Sequence, residues 1–176
     1  SGFVDAIGVG VPTFKVGDPV VASLTNRGGY AEYVVSPVVD IAIKPKAFTF
    51  EQAAGIPTAG VAGWRAIEQA KPKPGQRIAI IGAAGGVGSA ATQFAKAKGA
   101  HIIGIGSEWQ DAAMKELGAD EVVNYDKDNV AAKVGMVDIV INTVAGERET
   151  ALTYVKKGGT LVSVVGLPAP DKCMSA

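Results

Sequence analysis

The sequence is poor in the residues that build covalent cross-links and metal cages: among 176 residues there is one cysteine, Cys173, and one histidine, His101. A lone thiol cannot form an internal disulfide, which fits a reducing cytoplasm. A structural zinc site needs four thiolate, imidazole or carboxylate ligands, and one cysteine with one histidine does not close such a set. His101 opens an apolar run and reads as structural. Neither sign of charge is in excess, with 17 basic and 17 acidic residues. There is thus no electrostatic footprint for nucleic acid or an anionic membrane. No apolar run approaches the roughly 20 residues that cross a bilayer. The N-terminus lacks the charged and apolar regions of an export signal. The partners left open are small molecules and other subunits.

Hydrophobic residues make up 48% of the chain and charged residues 19%, a globular balance with ample material for a core. The most informative stretch is 77–97. Ile78 to Ile81 is a short apolar run of the kind found in a central parallel strand, and Ala90, Ala91, Phe94, Ala95 and Ala97 recur at helical spacing. Between them lies Gly82-Ala-Ala-Gly85-Gly86-Val-Gly88. Gly85 and Gly86 lack a Cβ, so a diphosphate can approach the backbone, and both can take a positive φ if the turn demands it. The following helix N-terminus directs free N–H groups and positive dipole potential at that point. Gly88 permits close helix–strand packing. The spacing is not the standard G-x-G-x-x-G. The strand before, the helix after and a second apolar run at 101–107 complete the βαβ context that gives the motif its meaning. Dinucleotide binding is the expectation, with Ala84, Gly85, Gly86 and Val87 at the diphosphate.

Along the chain, 1–46 carries β signals at 3–11, 19–24 and 30–35, with turns at 15–18 and 26–29, and reads as an antiparallel, barrel-like region. Helical spacing takes over at 50–70, where Ala53, Ile56, Trp64 and Ile67 contribute apolar positions, until Lys71-Pro-Lys-Pro-Gly75 stops it. From 76 onward strand and helix signals alternate: strands at 78–81, 102–105, 121–124, 137–144 and 160–165, helices at 90–98, 111–117 and 149–155. The fold class expected is α/β, a doubly wound parallel sheet of Rossmann type. Two domains follow, 1–50 as part of a substrate domain and 51–176 as the dinucleotide-binding domain. Both together would need about 300 residues, and the chain starts without methionine. It therefore reads as a piece of a longer polypeptide whose sheet lacks its last strand.

These blocks resemble the medium-chain dehydrogenase/reductase superfamily, and within it the zinc-independent quinone oxidoreductase and enoyl reductase branch. The matches come in the family's order: Phe14-Lys-Val-Gly-Asp18-Pro-Val-Val21, Gly28-Gly-Tyr-Ala-Glu-Tyr-Val-Val35, Glu51 through Trp64, Ala83-Ala-Gly-Gly-Val-Gly88, Lys115-Glu-Leu-Gly-Ala-Asp120 and Gly158-Gly-Thr-Leu-Val162. The resemblance implies a GroES-like antiparallel β domain before the Rossmann domain. Zinc-dependent relatives carry a cysteine lobe where Val21 to Arg27 runs straight on, and a zinc cysteine about where Ala59 stands, so the resemblance also implies no metal. A homodimer joined through sheet edges is what it implies for the full-length parent.

For the cofactor, NAD sites place Asp or Glu at the end of the second strand, on the ribose 2′-hydroxyl. Here that end is Ile105-Gly106-Ser107. The missing carboxylate favours NADPH, with Ser107 as a donor to the 2′-phosphate. By resemblance Tyr125 stands near the adenosine phosphate. Glu108 argues the other way, and Trp109 takes the place where many relatives have Lys or Arg, so NADH stays open. Ligands of open α/β sheets collect at the strand ends. Thr143 and Val144 after the fourth strand, and Gly166 and Leu167 after the fifth, are therefore expected at the nicotinamide. Gly104 and Gly106 read as close-packing glycines, Met114 and Phe94 as helix core, and one or both of Tyr30 and Tyr33 as packing residues on a strand.

The activity implied is NADPH-dependent hydride delivery to a quinone or an activated C=C, with no metal and with a backbone N–H or hydroxyl stabilising the developing enolate. No residue stands out as proton donor, so the catalytic residue is unknown. The alternative is a non-catalytic dinucleotide-binding module, or a truncated product of such an enzyme.

Overall fold

A computed structural model describes residues 1–24, 28–166 and 168. The chain divides into two compact units, Ser1–Ala59 and Gly60–Ala176.

The first unit contains a small antiparallel sheet in the order β1 (Gly2–Phe3), β2 (Pro19–Ala22), β3 (Ile41–Ile43). Val20 lies opposite both Gly2 and Ile43. The turn at 15–18 forms as read: Asp18 accepts from Lys15 N through Oδ2 at 2.9 Å, and Gly17 takes φ +89°. Two β readings are corrected. Of 3–11 only Phe3 is in a strand, the two-residue β1, and 30–35 forms none. Tyr30 (109% exposed) and Tyr33 (75%) are bare rather than packed. Helix α1 (Phe50–Ala54) starts with a capping box, in which Thr49 and Gln52 each satisfy the other's backbone N–H. Ala53 of α1 and Val21 of β2 are buried.

The second unit begins with α2 (Val61–Ala70), which follows a π-helical turn, Ile56–Gly60. Pro57 has no N–H to give to a regular helical ladder there. Five strands then form one parallel sheet: β4 (Arg77–Ile81), β5 (His101–Gly106), β6 (Glu121–Asn124), β7 (Val137–Asn142) and β8 (Val155–Ser163), in the order β6-β5-β4-β7-β8. Helices α3 (Gly86–Ala97), α4 (Asp111–Glu116), α5 (Val130–Val134) and α6 (Arg148–Leu152) connect them.

Successive side chains on a strand point to opposite faces, and in β4 both faces are buried. Ile78 and Ile80 pack with Ala66, Ile67, Ala91, Ala95 and Met114 on one side. Ala79 and Ile81 pack with Val123, Val134, Val140, Ala151 and Tyr154 on the other. Each fully buried isoleucine contributes about 1.5–3 kcal/mol of transfer free energy. That is why an uninterrupted apolar run becomes the middle of a doubly covered sheet. Met114 is core as read, and a Cβ on Gly104 would lie 3.2 Å from its sulfur. Phe94 is not core: it is 39% exposed, because α3 turns Gly88, Ala91, Thr92 and Ala95 inward.

The N-terminal edge of the sheet carries the charges. His101 Nε2 meets Glu121 Oε1 at 2.7 Å, Lys96 meets Asp120 at 2.5 Å, and Arg77 lies 3.8 Å from Glu121. His101 is thus engaged with Glu121 at the end of the sheet away from the glycine turn.

Candidate functional site

Every element of the site hangs on the C-terminal ends of the parallel strands. β4 ends at Ile81, and Gly82 N and Ala83 N both donate to Ile105 O of β5, at 2.9 and 3.2 Å. Gly82 takes φ +79°, a conformation side chains rarely adopt. The left-handed glycine is Gly82, whereas Gly85 has φ −70° and ψ 169° and Gly86 already opens α3. Gly85 N closes the turn on Gly82 O at 2.9 Å, and Ser89 N returns to Gly85 O at 2.7 Å. A Cβ on Gly88 would sit 2.0 Å from Gly82 O, so the first turn of α3 rests directly on the loop.

The N-cap of α3 offers no side-chain acceptor. The helix's leading N–H groups thus lack the usual capping partner, and 82–89 carries no charged side chain to compete with a ligand. That donor set fits an anion such as a diphosphate. Gly85 and Gly86 are exposed, while Ala84 and Val87 are half-buried and Ala84 packs against the core. Ala84 and Val87 can reach a ligand chiefly through their backbone.

β4 has β5 on one flank and β7 on the other, so the chain order reverses beside Gly82. In open α/β sheets this switch point is where ligands bind. Thr143 and Val144 form its far wall: a Cβ on Gly82 would come 2.6 Å from Thr143 Oγ1 and 2.9 Å from Val144 Cγ2. The Thr143 hydroxyl donates to Ile81 O at 2.7 Å, stitching the ends of β4 and β7 together. Asn142, fully buried, holds that wall from beneath. Its Oδ1 accepts from Val144 N at 2.9 Å and its Nδ2 lies 3.4 Å from Ser163 Oγ. Gly166 (φ +106°) lies next to the Arg148 guanidinium, 3.1 Å from where its Cβ would be, and Arg148 Nε donates to Ala145 O at 3.1 Å. Leu167 falls outside the described residues.

The ends of β5 and β6 bring together the other two expected contacts. Ser107 Oγ and Tyr125 Oη are hydrogen-bonded to each other. Ser107 also forms a capping box with Gln110, which fixes the loop after β5. Tyr125 is 56% exposed and Trp109 82%. The Glu108 carboxylate is paired with the Lys127 ammonium, which sequence reasoning missed because the two lie 19 residues apart. That hydrogen bond raises the Lys127 pKa above the usual lysine value. Asn142 and Arg148 were also missed as supports. For Asn142 the signal was a polar residue closing an otherwise apolar strand.

A family profile described as "Zinc-binding dehydrogenase" matches residues 86–175. The bovine (Bos taurus) mitochondrial NAD(P)H oxidoreductase RTN4IP1 is 35% identical over 178 residues, covering 94% of this chain and 45% of its own length. The quinone oxidoreductase from Coxiella burnetii superposes with a TM-score of 0.85 at 35% identity, over 92% of this chain and 53% of its own. The CurK enoyl reductase superposes with a TM-score of 0.89 at 28% identity, over 99% and 55%. The chain therefore spans about half the length of the relatives it matches. With its five-stranded parallel sheet and its profile match, it belongs to the medium-chain dehydrogenase/reductase superfamily.

Proposed function

We propose that this chain is the dinucleotide-binding part of a zinc-independent, NADPH-dependent oxidoreductase that reduces a quinone or an activated C=C. The observation that carries this reading is the uncapped α3 N-terminus beside Gly82 at the switch point of the sheet. The backbone of Ala84, Gly85, Gly86 and Val87 takes the diphosphate. Ser107 and Tyr125 take the adenosine 2′-phosphate, and Thr143, Val144 and Gly166 lie along the nicotinamide side. The bound nicotinamide supplies the hydride. The protein's own share is placement: Asn142 and Thr143 fix the wall against which the ring would rest, and the apolar Val144 keeps water from it. The names of the relatives support a small-molecule reductase.

Zinc has no place in this reading. His101 is held by Glu121, and Cys173 is the sole thiol of the chain. Pairing of the full-length parent into a homodimer belongs to the same proposal. So does residence in a reducing cytoplasm, with fractionation deciding between that and a mitochondrion, the location in the bovine relative's name.

A second reading, a dinucleotide-binding module without catalysis, rests on the α3 N-terminus itself, which speaks for cofactor binding and is silent on hydride transfer. The two part in one experiment, NADPH oxidation with a panel of quinones and enones, run on this chain and on its full-length parent beside NADPH titration of each. Binding with turnover in the parent supports the enzyme. Binding without turnover in either supports the module. Absence of binding overturns both.

A further inference from the structure

The loops after β5 and β6 carry two polar pairs side by side. In one, the hydroxyls of Ser107 and Tyr125 meet; in the other, the Glu108 carboxylate meets the Lys127 ammonium. The loops are tied at their base, where Gly106 and Asn124 are register partners, Tyr125 N donates to Gly106 O at 3.2 Å and Glu108 N donates to Asp126 Oδ2 at 3.3 Å. Resting on the dinucleotide reading, we propose that Lys127 is the cation that selects a 2′-phosphorylated adenosine, and that Glu108 is its built-in competitor, displaced from Lys127 when the phosphate arrives.

Two hydroxyls alone can hold a neutral ribose as well as a phosphate, so Ser107 and Tyr125 do not discriminate strongly. Discrimination needs a full positive charge, and phosphate recognition by a lysine ammonium as a point charge is well suited to it. The neighbouring cation, Lys133, is held by Asp128 at 2.7 Å. Lys127 has Glu108 as its direct partner, with Asp111 and Asp128 acting on it at longer range. An unpaired Glu108 on this loop would repel a phosphate. The more highly charged phosphate can take the carboxylate's place on Lys127, whereupon the displaced Glu108 opposes it, so Glu108 lowers the preference that Lys127 sets. Both side chains are more than half exposed, so the exchange requires no repacking of the core.

Calorimetric titration with adenosine 2′,5′-bisphosphate and with 5′-AMP tests this without any turnover. Lys127→Ala should weaken the bisphosphate about tenfold, the scale of one charge-assisted contact, and leave 5′-AMP unchanged. Lys127→Arg should retain most of the preference. Glu108→Gln should tighten the bisphosphate several-fold with no effect on 5′-AMP. If Lys127→Ala binds the bisphosphate as the parent does, or if either variant shifts both nucleotides equally, Lys127 is not the selector and the proposal falls. If the parent chain binds neither nucleotide, the dinucleotide reading itself fails. Binding of both nucleotides with equal affinity in the parent overturns the selector while leaving that reading intact.

Discussion

Gly88→Ala puts the packing of the glycine turn to a quantitative test. The new Cβ would lie 2.0 Å from Gly82 O, 2.8 Å from Gly82 C and 2.9 Å from Ala83 Cα. All three are backbone atoms, which cannot swing away as the tip of a side chain can. Ordinary contact begins near 3.4 Å, so the start of α3 must retreat by about 1.4 Å from the loop. The helix is not free to do so, because Ala91 and Ala95 are fully buried against the sheet. Overpacking of this kind costs about 1–3 kcal/mol. For a chain of this size that corresponds to a melting temperature lower by roughly 2–12 °C. Dinucleotide affinity should fall further, by an order of magnitude or more, since about 1 Å of misplacement is enough to lose a positioned contact. Thermal unfolding by circular dichroism, with Gly8→Ala as the control whose Cβ meets nothing within 4 Å, measures the first effect. A variant that melts with the parent while the control behaves as expected would refute the close-packing argument.

Asn142→Leu keeps the volume but strips Val144 N of its acceptor, so it should cost about 1–3 kcal/mol in chemical denaturation and loosen dinucleotide binding. Thr143→Val removes the hydroxyl donor to Ile81 O, which keeps the Thr143 N–H, and should cost about 1 kcal/mol with the fold intact by circular dichroism. The Lys156 ammonium, and then Arg77 N, hold the Asp138 carboxyl below its usual pKa. Its stabilising contribution is therefore present above the unfolded carboxylate value and is lost as pH falls through the lower folded one. Melting curves from pH 7 to pH 3 should accordingly fall less steeply for Asp138→Asn than for the parent. Elemental analysis of protein purified without added metal should find no stoichiometric zinc, since one cysteine and one histidine fall short of the Cys/His sets that structural sites use.

The parallel sheet was legible because its strands are continuous apolar runs buried on both faces, a pattern with few other uses. Ile78 to Ile81 and Ile102 to Ile105 could hardly be placed elsewhere. Helix α5 went unread: it is only Val130–Val134, started by Asn129 accepting from Ala132 N, too short to show a period. In the first unit, 30–35 has strand propensity, but propensity reflects packing against neighbours, and Tyr30 and Tyr33 are exposed. At the site, the glycine turn and the strand-end residues followed from chain order alone. The pairings did not. That Glu108 is neutralised by Lys127, that Asn142 supports Val144, and that Gly82 rather than Gly85 takes the left-handed conformation all depend on contacts between segments far apart in sequence.

The central claim is that the α3 N-terminus receives the diphosphate of a nicotinamide dinucleotide. Gly85 already has a φ that valine adopts without strain, and a Cβ there would press on Gly82 O alone, at 3.2 Å, asking it to give by a few tenths of an ångström, so Gly85→Val should fold while placing a branched side chain at the entrance to the helix. Calorimetric titration of NADPH into the parent and into folded Gly85→Val should show binding in the first and none in the second; parental affinity in the variant would make the turn a structural element and contradict the account.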